Sequence, residues 1–397
     1  MKFRSSLDKY RRGKPNTLGD KTVTATIDSL SNDGDGVARV KGKITFIPDT
    51  APGDSVRITV VEDRPRYSRA RMIKLIEPSS HRVTPQCPWV ARCGGCTWQH
   101  LSYPHQLEVK QSQLIETLVR IGNLSTVVVR DIVPSPSPYA YRNRIRGITQ
   151  DGSFHFHEHR SDALVTIDTC AIAHPAINQY LKTPAEPFST DRQSIELALM
   201  PGGSVDALLI NSERATELGF RQVNDAVSQS LTHTVSEIIA EKLANVQEAS
   251  QPRTLLDLYC GHGSWTRRIA TRHPNLTVKG IDSSEHNIRI ARQLASDLNN
   301  ANFSVGLSEN ALQQNKIQHD FVIVDPPRAG LSDEVISGLT QFHGATTLLY
   351  VSCHPATLAR DLAALTLGGY DIEFVQPFDM FPHTPHVETL AVLRGTN

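Results

Sequence analysis

The sequence has no apolar run of about 18 residues, the length a membrane-crossing helix requires. Its opening stretch, MKFRSSLDKYRRGKPNTLGDK, has no apolar segment between its charges, so it does not read as a secretory leader. Nor is there an internal repeat or a low-complexity tract, which excludes solenoid and fibrous architectures. Net charge is absent as well, with 41 basic residues against 41 acidic ones. Cysteine is sparse, at six in 397 residues. Without an export signal, those six read as reduced thiols held for metal binding or catalysis, in a cytoplasmic protein. What remains is an ordinary globular composition, long enough for two or three domains.

The charge is unevenly placed. Residues 1–80 hold 16 lysines and arginines against 10 aspartates and glutamates, and the rest of the chain holds 25 against 31. A basic N-terminal module on a mildly acidic body suits contact with RNA or DNA. Residues 1–20 read as a disordered basic tail. From 21 to 77, short β-forming runs such as TVTATIDSL and DSVRITVVED are punctuated by NDGDG and APGD, the pattern of a small OB-like barrel. Residues 78–235 form a mixed, mainly β central region with one amphipathic helix at Leu107–Gly122. Within it, YRNRIR is expected to be a strand with Arg142, Arg144 and Arg146 on one face, a row fit for phosphates or splayed bases. From 236 to 397, apolar strands alternate with helices, as in a doubly wound Rossmann-like sheet. Two closing β-runs with no helix between them predict an antiparallel hairpin at its edge. The fold class is therefore α/β and multidomain.

CPWVARCGGC places Cys87, Cys93 and Cys96 in a C-x5-C-x2-C pattern, and Cys170 is the natural fourth ligand. Four thiolates suit an iron–sulfur cluster or a tetrahedral zinc, and buried unliganded thiols are the third reading. The spacing departs from the CxxxCxxC of radical enzymes. In LLDLYCGHGSW, Gly261 and Gly263 permit close backbone approach to a ligand between a strand and a helix. Asp282 ends the next strand, where a carboxylate accepts hydrogen bonds from ribose hydroxyls. The full GxGxxG pattern is missing, since Thr266 stands at its third position. That and the terminal hairpin favour S-adenosylmethionine over a nicotinamide. Asn310, beside Glu309, is a candidate adenine contact. In VIVDPPRAGL, Asp325 ends the fourth strand in a loop stiffened by two prolines.

Cys353, in YVSCHPATLARDL, falls at the end of the fifth strand, and Pro355 suits the first turn of the following helix. The helix N-terminus is expected to lower the thiol's pKa. A thiol beside a methyl donor suggests one chemistry above others. A pyrimidine C5 is a poor nucleophile until a thiolate adds to C6 and makes C5 enolate-like. A base must then remove the C5 proton, and Glu388 in PHVETLAVL is the candidate.

With CGGC, YRNRIR, FRQVN, DLYCGHG, DPPRAG, VSCHPATLARDL and HVETLAVL in hand, the chain resembles the RNA 5-methyluridine methyltransferases that carry a TRAM domain and a four-iron cluster, most nearly the 23S rRNA (uracil-5-)-methyltransferases. The resemblance spans the chain after residue 20. It implies a TRAM domain over 21–77, a 4Fe-4S cluster on Cys87, Cys93, Cys96 and Cys170, and a class I methyltransferase domain at the C-terminal end. It also implies an S-adenosylmethionine site lined by Gln222, Tyr259, Asp282, Asn310 and Asp325, with Cys353 as nucleophile and Glu388 as base. Two positions depart from the family, which often has Asn where Ser264 and His354 stand. The implied substrate is a flipped-out uridine of RNA, 23S rRNA before the T-loop uridine of tRNA, acted on by a monomer. A TRAM-bearing radical methylthiotransferase and a non-catalytic RNA-binding redox sensor are the competing classes.

Overall fold

The computed structural model describes residues 22–210, 221–244, 253–314, 319–341 and 346–396. The basic tail over 1–20 and Phe220 of FRQVN lie outside the described residues. The chain divides into two compact units.

The first unit comprises residues up to Val109 together with His383–Pro385. Its sheet is built from β1 (Val23–Thr26), β2 (Ser29–Leu30), β3 (Gly36–Val40), β4 (Lys43–Ile47), β5 (Ser55–Asp63) and β6 (Tyr67–Glu77). The strands lie in the order β1-β5-β6-β4-β3-β2, antiparallel except for β4 with β6. Alternation puts Ile27, Ile47, Val56 and Ile58 into one core while Arg57 and Arg71 face outward. The unit is tied together by Asp54, whose side chain is fully buried. Its carboxylate accepts from the amides of Ala51 (2.6 Å) and Ser79 (2.9 Å) and from Arg82 Nε (2.8 and 2.9 Å).

The second unit holds two sheets. The smaller has β7 (Arg144–Gln150), β8 (Ser153–His157), β9 (Leu164–Thr166), β10 (Gln193–Leu199) and β11 (Val205–Leu209), all antiparallel in the order β11-β10-β7-β8-β9. The larger has β12 (Arg253–Leu258), β13 (Leu276–Asp282), β14 (Ala301–Val305), β15 (Phe321–Val324), β16 (Thr347–Ser352), β17 (Tyr370–Phe378) and β18 (Glu388–Gly395). Their order is β14-β13-β12-β15-β16-β18-β17. The first five are parallel, and the last two close the edge as the expected hairpin, with β18 inserted antiparallel beside β16. Apolar clusters on both faces explain why β12, β15 and β16 read as continuous hydrophobic runs.

Helices follow the strands: α1 (Tyr103–Gly122), α2 (Pro175–Lys182), α3 (Asp225–Ala244), α4 (Ser264–Arg272), α5 (Glu285–Leu294), α6 (Ser308–Gln314), α7 (Asp333–Gln341) and α8 (Pro355–Leu367). Ser284 caps α5 by accepting from Asn287 N–H at 3.2 Å.

One expectation fails. YRNRIR is not one strand bearing three free arginines, because β7 begins only at Arg144. Arg144 and Arg146 share the buried carboxylate of Glu196 on β10, whose position faces them across the ladder. Opposite charge on the neighbouring strand, invisible in a local pattern, pairs two of the three, Arg144 largely covered and Arg146 still exposed.

Asp54 generates the first prediction. Burial opposes its charge, but Arg82 and the two amides outweigh it and hold the carboxyl below its ordinary 3.8. The stabilisation is complete above that ordinary value and is lost as the pH falls through the lower folded value. Asp54→Asn should cost about 2–3 kcal/mol and reduce the acid-dependent part of unfolding, as read by denaturant melts between pH 3 and 7.

Candidate active site

The site is assembled at the carboxyl ends of the parallel strands in the second unit, where ligands bind in open α/β sheets. Strand β12 ends in a sharp turn. Tyr259 takes a positive φ of 63°, a strained value for a non-glycine residue. Gly261 (54°) and Gly263 (73°) follow in the same region. The two glycines serve different ends. A Cβ on Gly263 would strike the Phe303 ring at 2.5 Å, so this glycine is needed for packing. A Cβ on Gly261 would meet nothing within 4 Å, so the turn's crest borders open space, as a cradle for a bound molecule must.

Around that space the polar groups are fixed in advance. Asp282 Oδ2 accepts from Gly261 N–H at 3.0 Å. Its Oδ1 accepts from Ser284 N–H (2.9 Å) and Asn287 Nδ2 (3.1 Å). Asn287 Oδ1 also meets His262 Nε2 at 2.9 Å, so one loop and one helix start brace the carboxylate. Ser264 is exposed as the first residue of α4, and Asn310 is exposed on α6. The Tyr259 hydroxyl hydrogen-bonds to Ser308, at the start of α6. Gln222 is half-buried, and its carbonyl accepts from Asn143 Nδ2 at 2.8 Å.

Asp257, the acid near the end of β12, has a structural task. It is fully buried and accepts from both the amide (3.0 Å) and the hydroxyl (2.6 Å) of Thr266, fixing the first turn of α4. Burial pushes its carboxyl up to about 7, against those two hydrogen bonds. Trp265 donates its Nε1–H to Asp325 Oδ2 at 3.2 Å. Burial lifts Asp325 to about 6.

Cys353 and Glu388 are brought together by strand register. Strands β16 and β18 pair antiparallel, with Ser352 opposite Thr389. Cys353 is the next residue on one strand and Glu388 the preceding residue on the other, so both face each other at the end of the ladder. Asp325 follows Val324, which pairs with Tyr350 across the other edge of β16, so its carboxyl lies at the same strand end from the β15 side. Glu388 is 2% exposed, and burial, with Asp325's charge beside it, raises its carboxyl well above the usual range.

The thiol's acidity runs opposite to the helix-terminus expectation. Burial raises the Cys353 pKa, and the charge of Glu388 adds to the rise. The opposing group is Arg328, from DPPRAG, which hydrogen-bonds to the sulfur and favours the thiolate. The N-terminus of α8 is already occupied, because His354 caps it with Nδ1 accepting from Thr357 N–H at 3.3 Å. Burial and Arg328 depress the His354 pKa, which keeps the ring neutral, as an accepting Nδ1 requires. Arg328 was not legible as a site residue, since a lone arginine after Pro-Pro looks like an exposed loop charge.

The sequence-predicted thiol set is divided between the units: Cys87, Cys93 and Cys96 belong to the first and Cys170 to the second. All four are half-buried, unlike the buried Cys260, and no disulfide joins them. Gly95 N–H donates to Cys93 Sγ at 3.4 Å. Among the described residues, no three His, Cys, Asp or Glu side chains are grouped to hold a metal ion.

Comparison with known proteins bears on the geometry. Residues 204–395 match the tRNA (uracil-5-)-methyltransferase family and residues 19–73 match the TRAM domain. An uncharacterised RNA methyltransferase of Thermosynechococcus vestitus is 30% identical over 94% of this chain and 98% of its own length. Another, of Bdellovibrio bacteriovorus, is 30% identical over 98% and 99%. The solved Pyrococcus abyssi tRNA (uracil-54, C5)-methyltransferase, in complex with S-adenosyl-L-homocysteine, is 27% identical and superimposes with a TM-score of 0.68 over 94% of this chain and all of that one.

The Arg328–Cys353–Glu388 arrangement gives a second prediction. Alkylation of Cys353 by iodoacetamide, followed by peptide mass mapping, should rise with pH beyond the ordinary thiol range. Arg328→Met should slow it at pH 8 by about three- to tenfold, and Glu388→Gln should speed it, since one pKa unit is a tenfold change in thiolate. Unchanged rates in both variants would contradict the assigned charges. By its matched domains and its full-length relatives, the chain belongs to the RNA methyltransferases of the tRNA (uracil-5-)-methyltransferase family, with a TRAM domain on its N-terminal side.

Proposed function

We propose that the protein is a cytoplasmic, monomeric S-adenosylmethionine-dependent enzyme that methylates C5 of a specific uridine in RNA through a covalent Cys353–C6 adduct, with Glu388 as the base. The observation that carries this reading is the register that sets Cys353 and Glu388 against each other at one strand end. The residues around Gly261 suit the cofactor: an open backbone crest, the braced Asp282 carboxylate for ribose hydroxyls, and Tyr259, Ser264, Gln222 and Asn310 on flanking segments. When bound, S-adenosylmethionine supplies an electrophilic methyl group on a sulfonium.

The chain's residues then act in sequence. The Cys353 thiolate, favoured by Arg328, bonds to C6 and shifts the C5–C6 electron pair so that C5 becomes nucleophilic. Asp325, held by the Trp265 N–H, borders the same strand ends and is assigned to the S-adenosylmethionine site. After C5 has gained the methyl, Glu388 takes the C5 proton. The released electron pair re-forms the C5–C6 double bond and expels the thiolate. A carboxylate with raised pKa is the stronger base, and its burial excludes competing water.

Arg146 supports an RNA-facing role for the YRNRIR segment, since its side chain stays 67% exposed while it pairs with Glu196. Ribosomal RNA of the 23S type is the preferred substrate, on the TRAM-plus-cysteine organisation of the sequence. A tRNA T-loop uridine is the second reading, favoured by the Pyrococcus abyssi likeness. A structural 4Fe-4S cluster on Cys87, Cys93, Cys96 and Cys170 is supported by their sequence spacing alone, and no step of the reaction uses it.

Two outcomes test this. On RNA carrying 5-fluorouracil at the target, the native protein should form a complex that survives denaturing electrophoresis, and Cys353→Ala should bind the RNA but form none. Glu388→Gln on ordinary RNA should accumulate a methylated covalent complex, and release of product at the native rate would remove Glu388 from its role. Anaerobically purified protein should contain about four irons per chain, and stoichiometric zinc in their place would overturn the cluster.

A further inference from the structure

The end of the hairpin that carries Glu388 is pinned by a fully buried ion pair. Lys110 of α1 and Asp379 have completely buried side chains, with Nζ and Oδ1 2.5 Å apart. Lys110 Nζ also donates to the carbonyl of Phe381 at 3.0 Å. Asp379 directly follows Phe378, and Phe378 is the cross-strand partner of Glu388 in the β17–β18 register. The same point is braced from the other side, where Asp379 N–H donates to Val133 O and Val133 N–H donates to Pro377 O, both at 2.9 Å.

Stability alone does not explain the pair. Removing two charges from water is costly, and well-packed apolar residues of similar volume commonly do as well or better. The second carboxylate oxygen, Asp379 Oδ2, is buried without a hydrogen-bond partner, so the site is not built for the lowest energy. What the pair does provide is direction. An apolar pair would let the segment after β17 slide, whereas a short charge-assisted contact to Asp379 and a second bond to Phe381 fix two alternate residues of that segment.

We propose that Lys110 is a positioning residue for the base: its bonds to Asp379 and Phe381 hold the mouth of the β17–β18 hairpin so that the Glu388 carboxylate lies within reach of the C5 proton. The inference rests on the reading of Glu388 as base. It predicts a selective defect, since the Lys110 bonds run to Asp379 and Phe381 on the segment after β17, whereas Cys353 follows β16 at the start of α8.

The test follows single turnovers of the full-length protein on RNA carrying either uridine or 5-deuterouridine at the target. In Lys110→Met and in the near-isosteric Asp379→Asn, the covalent complex should form within about twofold of the native rate. Its release should slow by about tenfold or more, the scale of a misplaced catalytic group. The deuterium isotope effect on release should grow as C5 proton removal becomes limiting, and Lys110→Arg should restore part of the rate. A purely structural pair would lower formation and release together and leave the isotope effect unchanged, which would overturn the proposal. So would native-like release in both variants, or failure of both to fold. Glu388→Gln run alongside separates the two claims. If it releases product normally, the base assignment has failed. If it stalls while Lys110→Met and Asp379→Asn do not, only the positioning role has.

Discussion

Asp325, Cys353 and Glu388 end three neighbouring strands within one poorly hydrated space, and the cost of charge there governs the rest of the site. Burial raises the proton affinity of all three, the charge of Asp325 adds to the rise at Glu388, and the charges of Glu388 and Asp325 add to it at Cys353. Arg328 is the cation set against this at the sulfur, and the Trp265 indole is a neutral donor to Asp325. The balance leaves a thiol that ionises reluctantly beside a carboxyl that binds protons strongly. The proposed chemistry needs the thiolate first and an ionised Glu388 second, so each group must lose its proton before it acts.

The cofactor cradle follows a different logic, in which rigidity is supplied before any ligand arrives. Tyr259 and the two glycines turn the backbone through the left-handed region, Asp257 anchors the next helix through Thr266, and Asp282 is held by three donors. Little reorganisation remains for binding. The strain at Tyr259 is offset by the surrounding sheet, whose strands are buried on both faces.

Much of this was legible in sequence because strand ends are marked by their own residues. DLYCGHG, VDPP and VSCHP each show an apolar run stopped by Gly or Pro, which fixes where the carboxyl edge lies and which side chains reach it. The C-terminal hairpin was legible for the same reason, from two β-runs with no helix between them. What could not be read was set by partners distant in sequence. Glu196 claims Arg144 and Arg146 from some 50 residues away, and Lys110 meets Asp379 across 269. The thiol's acidity was misjudged because the helix terminus invoked to lower it is capped by His354, while the cation that does lower it comes from another loop. Local pattern reports backbone geometry well and electrostatic neighbours poorly.

The central claim is that methyl gain and proton loss occur at the same carbon of a uracil ring. The direct measurement is transfer from S-adenosylmethionine to RNA labelled with tritium at uracil C5, counting tritium released to water against methyl groups incorporated, with the modified nucleoside identified by mass. The account predicts one tritium released per methyl gained and 5-methyluridine as the product. Methyl incorporation without tritium release, or a methyl found on ribose or another base, would contradict it.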